Sequence, residues 1–210
     1  MWMDDWVLNA PPAALERRVL FRFFETRRTV VVLSSSNKVD VETIAPVCAS
    51  DGIPMLRRKG GGGTVVLGPG CVVLTLAFRA KDVFNNGHYF GLVNGLWMDA
   101  LATLGVSGLS TRGLSDIAHG ERKVAGTSVF RRKHLFVYQG SLLVHPDFAR
   151  IERYLAHPSK EPDYRNGRDH RAFLTSLRDL GCDASAGEVV RACAAHFEAH
   201  AAGHFAADLL

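Results

Sequence analysis

The residues with the clearest chemical potential form a run of glycines that follows a cluster of positive charge. Gly60–Gly63 come directly after Arg57, Arg58 and Lys59, and an apolar, β-type run begins at Thr64. Glycines allow backbone N–H groups to approach a ligand closely and to point the same way, which creates an anion site. Guanidinium groups donate paired hydrogen bonds to phosphate or carboxylate. The segment is interpreted either as a cradle for an acidic or phosphorylated small molecule or as a flexible hairpin connection.

Two common glycine motifs do not account for this run. A Walker A loop requires Lys-Ser/Thr after its last glycine and then a helix, whereas here Thr64 follows and a strand is predicted. The Rossmann G-x-G-x-x-G spacing also fails, again because no helix follows.

Two other groups of residues could do chemistry. Lys123 lies inside a predicted strand between small and apolar neighbours, where a lysine is often just a solvated edge residue. His196, His200 and His204 recur at every fourth position of a predicted helix, a spacing that can bind metal. Because H-E-x-x-H is absent and no carboxylate ligand is obvious, we interpret the histidines as a solvated helix face.

The elements that must position these residues alternate between strand and helix patterns. The sequence predicts a helix over about Pro12 to Thr26, strands in "TVVVLS", "IPMLRR", "TVVLG" and "CVVLTLAF", and a long helix in "GHYFGLVNGLWMDALATLG". "DIAHGERKVAGTSVFRR" and "LFVYQGSLLV" are predicted strands, and the first turns near His119. Residues 147–210 are predicted to be mostly helical. This order favours an α+β fold with a mixed β-sheet core and flanking helices.

The long helix carries a G-x-x-x-G pattern, formed by Gly91 and Gly95. In a chain without membrane segments, we expect these glycines to allow close packing against another helix.

Composition sets further bounds. The chain has 210 residues, 47% hydrophobic and 22% charged, which is typical of one globular domain. A net charge of +4 favours anionic ligands or acidic partners and is too small to indicate nucleic-acid binding. No apolar run approaches the ~20 residues of a membrane span. The four cysteines form no C-x-x-C pair, so we expect reduced thiols in a soluble, cytoplasmic protein.

Two motifs together resemble the lipoate–protein ligase family, within the biotin/lipoate ligase superfamily. The family carries R-R-x-S/T-G-G-G-x-V, and this chain has "RRKGGGGTV". The family also carries N-D followed by G-[RK]-K-[IV]-[SA]-G-[NS]-[AS], and this chain has "SDIAHGERKVAGTS" with one extra residue between Gly120 and Arg122. The resemblance covers roughly Glu25 to Leu180, and it implies a class II synthetase-like, biotin-ligase-like fold.

The resemblance implies a two-step, ATP-dependent reaction in a single catalytic domain spanning residues 1–210, with a helical C-terminal segment from about 147. Lipoate, octanoate or a related acid would attack the α-phosphate of ATP to give an acyl-adenylate such as lipoyl-AMP. The acyl group would then pass to a lysine of an acceptor lipoyl domain. Since many full ligases carry a further C-terminal accessory domain, a separate accessory subunit is a possible partner; neither nucleic acid nor membrane is expected.

The resemblance also implies roles for individual residues. Lys123 is the implied catalytic residue, contacting the acyl oxygen and the α-phosphate. Asp116 is implied to bind Mg²⁺ or to hold that lysine in place. The remaining implied nucleotide- and acyl-binding residues are Arg57, Arg58, Gly61, Gly62, Gly63, Thr64, Gly126, Thr127 and Ser128. The alternative for one of the two arginines is a structural pairing with an acid.

Three departures from the family pattern fall near the implied site. Gly60 replaces the family's Ser/Thr, and "LGPGC" stands where the family often has aromatic-His-Asp-x-Gly-Asn. Gln139 occupies a histidine position. We therefore expect an acyl pocket that differs in shape and polarity.

Three functions remain open on sequence grounds. The first is the ATP-dependent ligase, and the second is an octanoyl or lipoyl transferase of the same fold that uses no ATP. In one branch of those transferases a nucleophilic cysteine precedes the lysine hairpin, but "GVSGLSTRGLSD" contains none. The third is a non-catalytic relative that only binds an acid or a lipoyl-type domain.

Overall fold

The computed structural model describes residues 5–16 and 18–210, whose strands form two β-sheets. The strands are β1 Leu20–Glu25, β2 Val30–Leu33, β3 Met55–Arg57, β4 Val65–Leu67, β5 Cys71–Arg79, β6 Leu109–Arg112, β7 Asp116–His119, β8 Arg122–Arg132 and β9 Leu135–Leu143. The large sheet has the order β1-β5-β9-β8-β7-β6, and all its neighbours are antiparallel. In the small sheet β2 is central, parallel to β3 and antiparallel to β4.

Helices cover both sheets. They are α1 Asp5–Leu8, α2 Val39–Glu42, α3 Ala45–Ser50, α4 Asn86–Ala102, α5 Phe148–Tyr154, α6 His170–Phe173 and α7 Ala186–His204, with 3₁₀ turns at Pro12–Leu15, Asp163–Arg165 and Arg178–Leu180. Helices α4 and α7 bury one face of the large sheet, where Trp97 and Phe197 pack against Phe23. A second core lies between the small sheet, α3 and α5.

The predicted α+β class, with a mixed sheet and flanking helices, is confirmed, and the parallel pairing lies in the small sheet. The predicted strands from Thr29 onward and the long helix are also present. Within the described ranges, no helix is both long and apolar enough to cross a bilayer.

The predicted helix over Pro12 to Thr26 is wrong. Only a 3₁₀ turn forms at Pro12–Leu15, residue 17 lies outside the described residues, and Leu20–Glu25 is a strand. Phe21 and Phe23 sit two residues apart and contact Phe197 from the same side of β1. Pairing with β5 and burial of these aromatic rings outweigh the local helical spacing.

The expectation for Gly91 and Gly95 is also wrong. A Cβ atom built at either glycine meets no atom within 4 Å outside the helix itself, so neither residue mediates a close helix contact. The close approach to α4 is made instead by Gly140 of β9, where a Cβ would lie 3.0 Å from Cη2 of Trp97.

These two environments predict opposite effects of the same substitution. Gly140→Ala should lower the free energy of unfolding by about 1–3 kcal/mol, because the added methyl overpacks the core against Trp97. Gly91→Ala should raise it by roughly 0.5–1 kcal/mol, because alanine is the better helix former and the site is open. Urea denaturation of both variants measures the difference, and changes of the same sign would contradict this description.

Candidate functional site

The glycine loop, residues 58–64, joins two strands that do not pair with each other. Both β3 and β4 pair with β2 from opposite sides, so the loop passes over the end of β2. The backbone N–H of Arg58 donates to the Leu33 carbonyl, and that of Ser35 donates to the Gly60 carbonyl. The alternative interpretation of this segment as a hairpin connection is therefore wrong.

The side chain of Arg58 lies inside the glycine loop and is 7% exposed. Its Nη2 donates to the carbonyl oxygens of Gly61 and Gly63 at 2.6 and 2.7 Å. Between them, Gly62 adopts a φ of +93°, a conformation that glycine allows at little cost. The loop is thus folded around its own guanidinium group.

Arg57 anchors the chain that leaves β2. Its Nη1 donates to the carbonyl oxygens of Ser34 and Asn37, each at 2.7 Å. Both arginines therefore support the backbone, whereas the sequence interpretation allowed a structural role for only one of them. Their contact with phosphate stays a prediction.

Gly60 brings the glycine loop against β8 of the large sheet. A Cβ at Gly60 would lie 2.9 Å from Oγ of Ser128 and 3.2 Å from the Val129 carbonyl oxygen. The departure from the family's Ser/Thr at this position thus coincides with a close approach between the two sheets, and the site lies in the space between them.

A β-bulge sets the direction of the Lys123 side chain. Ile117 pairs with Ala125 while the next residue, Ala118, pairs with Lys123, so Val124 is an extra residue on β8. Side chains alternate along a regular strand, which would put Lys123 and Gly126 on opposite faces. The bulge restores them to one face, where a Cβ at Gly126 would lie 2.9 Å from Cε and Nζ of Lys123.

Lys123 and Asp116 form an ion pair at the start of β7. Nζ lies 2.8 Å from Oδ1, and the two side chains are 23% and 13% exposed. The other carboxylate oxygen, Oδ2, accepts a hydrogen bond from the Tyr164 hydroxyl at 3.0 Å. Burial, followed by the charge of Asp116, raises the pKa of Tyr164, so its hydroxyl is protonated at physiological pH.

Buried polar contacts hold the chain next to Asp116. The carbonyl oxygen of Ser115 accepts from Nδ2 of Asn94 at 3.0 Å and from Oγ1 of Thr127 at 2.7 Å. Asn94 is fully buried on α4 and also accepts from the Tyr138 hydroxyl at 2.8 Å. The long helix is therefore tied directly to the segment that carries Asp116.

Two cavities meet around Lys123. The wide cavity, about 680 Å³, is lined mainly by polar and charged residues, with contributions from the glycine loop, β8 and the start of α4. The narrow cavity, about 170 Å³, has walls that include Leu67, Leu143, Ile151 and Phe173. The residues that line both are Gly63, Lys123, Thr127, Ser128, Lys160 and Pro162.

The structure brings together nearly all the residues singled out in the sequence. Gly61, Gly62 and Asp116 line the wide cavity; Arg58, Thr64 and Gly126 line the narrow one; and Gly63, Lys123, Thr127 and Ser128 line both. Arg57 lines neither cavity.

Over residues 1–198 the sequence matches the lipoyl protein ligase A/B catalytic domain. The chain belongs to this family.

Solved structures share the fold of this member of the lipoyl protein ligase family. A lipoate–protein ligase A bound with ATP superposes with a TM-score of 0.73 at 22% identity, covering 87% of this chain and 72% of that one. A bipartite lipoate protein ligase, studied with its E2 lipoyl domain, from Thermoplasma acidophilum gives 0.74 at 23%, with coverages of 87% and 71%. A T. acidophilum protein with bound lipoic acid gives 0.72 at 21%, covering 87% and 72%.

Within the described residues of this family member, the carboxylates that line the wide cavity are not arranged as a Mg²⁺ site. Both oxygens of Asp116 are engaged, Glu42 accepts from the Ser159 hydroxyl, and Glu161 contacts Arg165 and the Gly167 N–H. Among the residues described, no three His, Cys, Asp or Glu side chains form a metal-binding group. The metal role of Asp116 stays a prediction.

The three histidines on α7, His196, His200 and His204, contact other groups of the protein. His200 and His204 are exposed, and Nε2 of His204 lies 3.1 Å from the Leu92 carbonyl oxygen. The rings of His196 and His200 are 4.4 Å apart.

Sequence reasoning missed the cap segment, residues 157–169, which contributes to both cavities. Lys160 and Pro162 line the wide and narrow cavities alike, and Tyr164 contacts Asp116. Its first eleven residues read "HPSKEPDYRNG", a stretch that interrupts the helical pattern of residues 147–210. Its prolines and mixed charges indicate a loop, but nothing in the local sequence indicates which part of the fold that loop contacts.

The space at Gly126 yields a test of the ion pair. Gly126→Ala should displace the Lys123 ammonium group from Asp116, because the new methyl carbon would lie only 2.9 Å from Nζ and Cε of Lys123. The fold should survive, since the displaced atoms end a flexible side chain. A crystal structure of the variant should show Nζ beyond the ~4 Å limit of an ion pair. Gly61→Ala, where a Cβ meets nothing within 4 Å, serves as the control; an unchanged pair in Gly126→Ala would contradict the description.

Proposed function

We propose that this protein is an ATP-dependent lipoate–protein ligase, or a ligase of a related medium-chain acid. The observation that carries the proposal is the pair of cavities with different walls that meet at Lys123. A reaction that joins an apolar acid to a nucleotide needs two such compartments with a cation where the reacting groups meet. The ATP and lipoic acid present in two of the structures that share this fold support the same substrates.

In this proposal the two substrates occupy different cavities. The aliphatic or dithiolane end of the acid lies in the narrow cavity, against Leu67, Leu143 and Phe173. ATP occupies the wide cavity, which has the volume for it and a lining made mainly of polar and charged residues, with apolar side chains among them. The carboxylate and the α-phosphate then meet beside Lys123.

The first step is in-line displacement at the α-phosphate. A carboxylate oxygen forms a bond to phosphorus as the bond to the pyrophosphate oxygen breaks, giving acyl-adenylate and pyrophosphate. Lys123, carried on a flexible stem, follows the charge that develops on the phosphate and acyl oxygens. N–H groups of Gly61–Gly63 stabilise the same charge, and Asp116 positions the ammonium group.

The second step transfers the acyl group. The neutral ε-amine of a lysine on the acceptor attacks the acyl carbonyl carbon. AMP leaves with the electrons of the single bond between that carbon and the phosphate oxygen, and the amine loses a proton to form an amide. No protein nucleophile takes part, so the contribution of this chain is to position the substrates and stabilise charge.

The environment of the cysteines favours this route over a thioester transferase. All four cysteines are buried, and none lines the wide or the narrow cavity. Burial raises the pKa of the Cys71 thiol to about 11 and that of Cys193 to about 12, and it also raises that of Cys48. A nucleophilic cysteine needs the opposite, an accessible thiolate. The intact Lys123–Asp116 pair in turn favours a catalyst over a relative that only binds.

We further propose that residues 1–210 form one catalytic domain that acts in the cytoplasm on a lipoyl-domain acceptor. The bipartite ligase of T. acidophilum, studied with its E2 lipoyl domain, supports both this acceptor class and a separate accessory subunit.

The ligase function predicts two signals. With Mg-ATP, lipoate or octanoate and an apo lipoyl domain, the acceptor should gain the mass of the acyl group, and ATP–pyrophosphate exchange should depend on the acid. Lys123→Ala should lower both by about 100-fold or more, because it removes the cation at the reacting atoms. Lys81→Ala is the matched control, since that ammonium donates to the Ala207 carbonyl at the surface. Absence of both signals with every medium-chain or dithiolane acid would refute the function.

The thiol environment yields an independent prediction. At pH 8 only about one thousandth of a thiol with a pKa near 11 is thiolate, so iodoacetamide should leave the native protein active. Mass spectrometry should find four modified cysteines only after unfolding in urea. Loss of activity in step with alkylation of one cysteine would instead support the thioester transferase.

A further inference from the structure

We propose that Tyr164 is a positioning residue for Lys123 and that it acts through Asp116. The carboxylate of Asp116 is shared between two donors, with Oδ1 2.8 Å from Nζ of Lys123 and Oδ2 3.0 Å from the Tyr164 hydroxyl. The phenol and the ammonium group therefore share one carboxylate, each donating to a different oxygen. The catalytic relevance rests on the proposed function, whereas the effect on Lys123 itself does not.

The Tyr164 ring is held from two sides. It packs at 5.1 Å between ring centroids against Phe173, and the guanidinium carbon of Arg112 lies 5.6 Å from its centre. A Cβ at Gly113 would come within 3.5 Å of the same ring. The hydroxyl is therefore aimed at Asp116 by packing, and burial together with the Asp116 charge keeps it in the protonated, donating form.

The backbone around Tyr164 is equally constrained. Arg168 donates to the carbonyl oxygens of Tyr164 and Glu121 at 2.7 and 2.8 Å. Arg165, 5% exposed, donates to the Arg168 carbonyl at 2.8 Å and pairs with Glu161. The cap segment is thus a fixed element that lines both cavities and reaches the catalytic lysine through one carboxylate.

The sharing of the Asp116 carboxylate between Lys123 and Tyr164 affects how freely Lys123 moves in the proposed reaction. A carboxylate free at both oxygens would hold the ammonium group more strongly. Lys123 would then move less readily onto the charge that builds on the phosphate. The hydrogen bond from Tyr164 takes up part of the hydrogen-bond-accepting capacity of the Asp116 carboxylate. Lys123 therefore stays close to the site and available to the substrate.

The test compares two tyrosine variants with nearly identical local chemistry. Tyr164→Phe removes the hydroxyl and keeps the ring. Tyr154→Phe is the matched control, because the Tyr154 hydroxyl also donates to Oδ2 of an aspartate, Asp51, at 3.0 Å, and that aspartate also binds a cation, Arg153. Tyr154 lines neither the wide nor the narrow cavity.

The first readout needs no activity. Trace labelling with acetic anhydride, followed by mass spectrometry of the Lys123 peptide relative to the Lys81 peptide, measures the reactivity of the Lys123 amine. In Tyr164→Phe this ratio should fall about threefold or more, because Asp116 binds the ammonium group with both oxygens. In Tyr154→Phe it should equal that of the wild type.

The second readout is acid-dependent ATP–pyrophosphate exchange. Tyr164→Phe should lower kcat about tenfold and leave KM for ATP within about twofold, the pattern of a defect confined to the transition state. In an Asp116→Asn background the same substitution should have no further effect, because the pathway through the carboxylate is already lost.

Several results would overturn the role of Tyr164. These are an unchanged or increased labelling ratio in Tyr164→Phe, an equal effect in Tyr154→Phe, or full additivity with Asp116→Asn. If the wild-type protein shows no exchange while the labelling ratio falls as expected, the proposed function fails and the positioning of Lys123 by Tyr164 stands.

Discussion

The arrangement of the site depends on a one-residue register shift between β7 and β8. If β8 ran through Val124 as a regular strand, Lys123 would point to the face opposite Gly126 and Ser128, away from the glycine loop. With the bulge at Val124, Lys123 shares a face with Ser128, where Gly60 of the glycine loop approaches the large sheet. A single β-bulge therefore decides whether the loop, the lysine and Asp116 can form one site.

The two sheets contribute different things to this site. The small sheet supplies a loop whose arginines are directed inward, Arg58 to the loop carbonyls and Arg57 to the chain after β2. The large sheet supplies the side chains that carry charge, Lys123 and Asp116, and α4 fixes the latter through Asn94. The cap segment then adds walls to both cavities. The two lysines that line both cavities are Lys123 and Lys160, whereas Arg57 and Arg58 are engaged with backbone carbonyls.

Much of the local structure around this site could be predicted from the sequence. The family resemblance singled out Lys123, Asp116 and the glycines, which the structure places around the two cavities, and β-branched runs predicted the strands that hold them. What it missed is set by tertiary contact: β1 is a strand because Phe21 and Phe23 meet Phe197 across the core, and Tyr164 reaches Asp116 across 48 residues of chain. The G-x-x-x-G of α4 misled for the same reason, because the close approach to that helix comes from Gly140 on a distant strand. Nor does the sequence show whether the Arg58 side chain points outward or into its own loop.

The guanidinium enclosed by the glycine loop has an entropic consequence. A segment with four successive glycines loses more backbone freedom on ordering than almost any other sequence of its length. Because Arg58 fastens the carbonyls of Gly61 and Gly63 in the folded protein, that loss accompanies folding and is not incurred again when a ligand arrives. An anion can then meet a preorganised backbone, so that its interaction energy appears as affinity rather than being spent on arranging the loop.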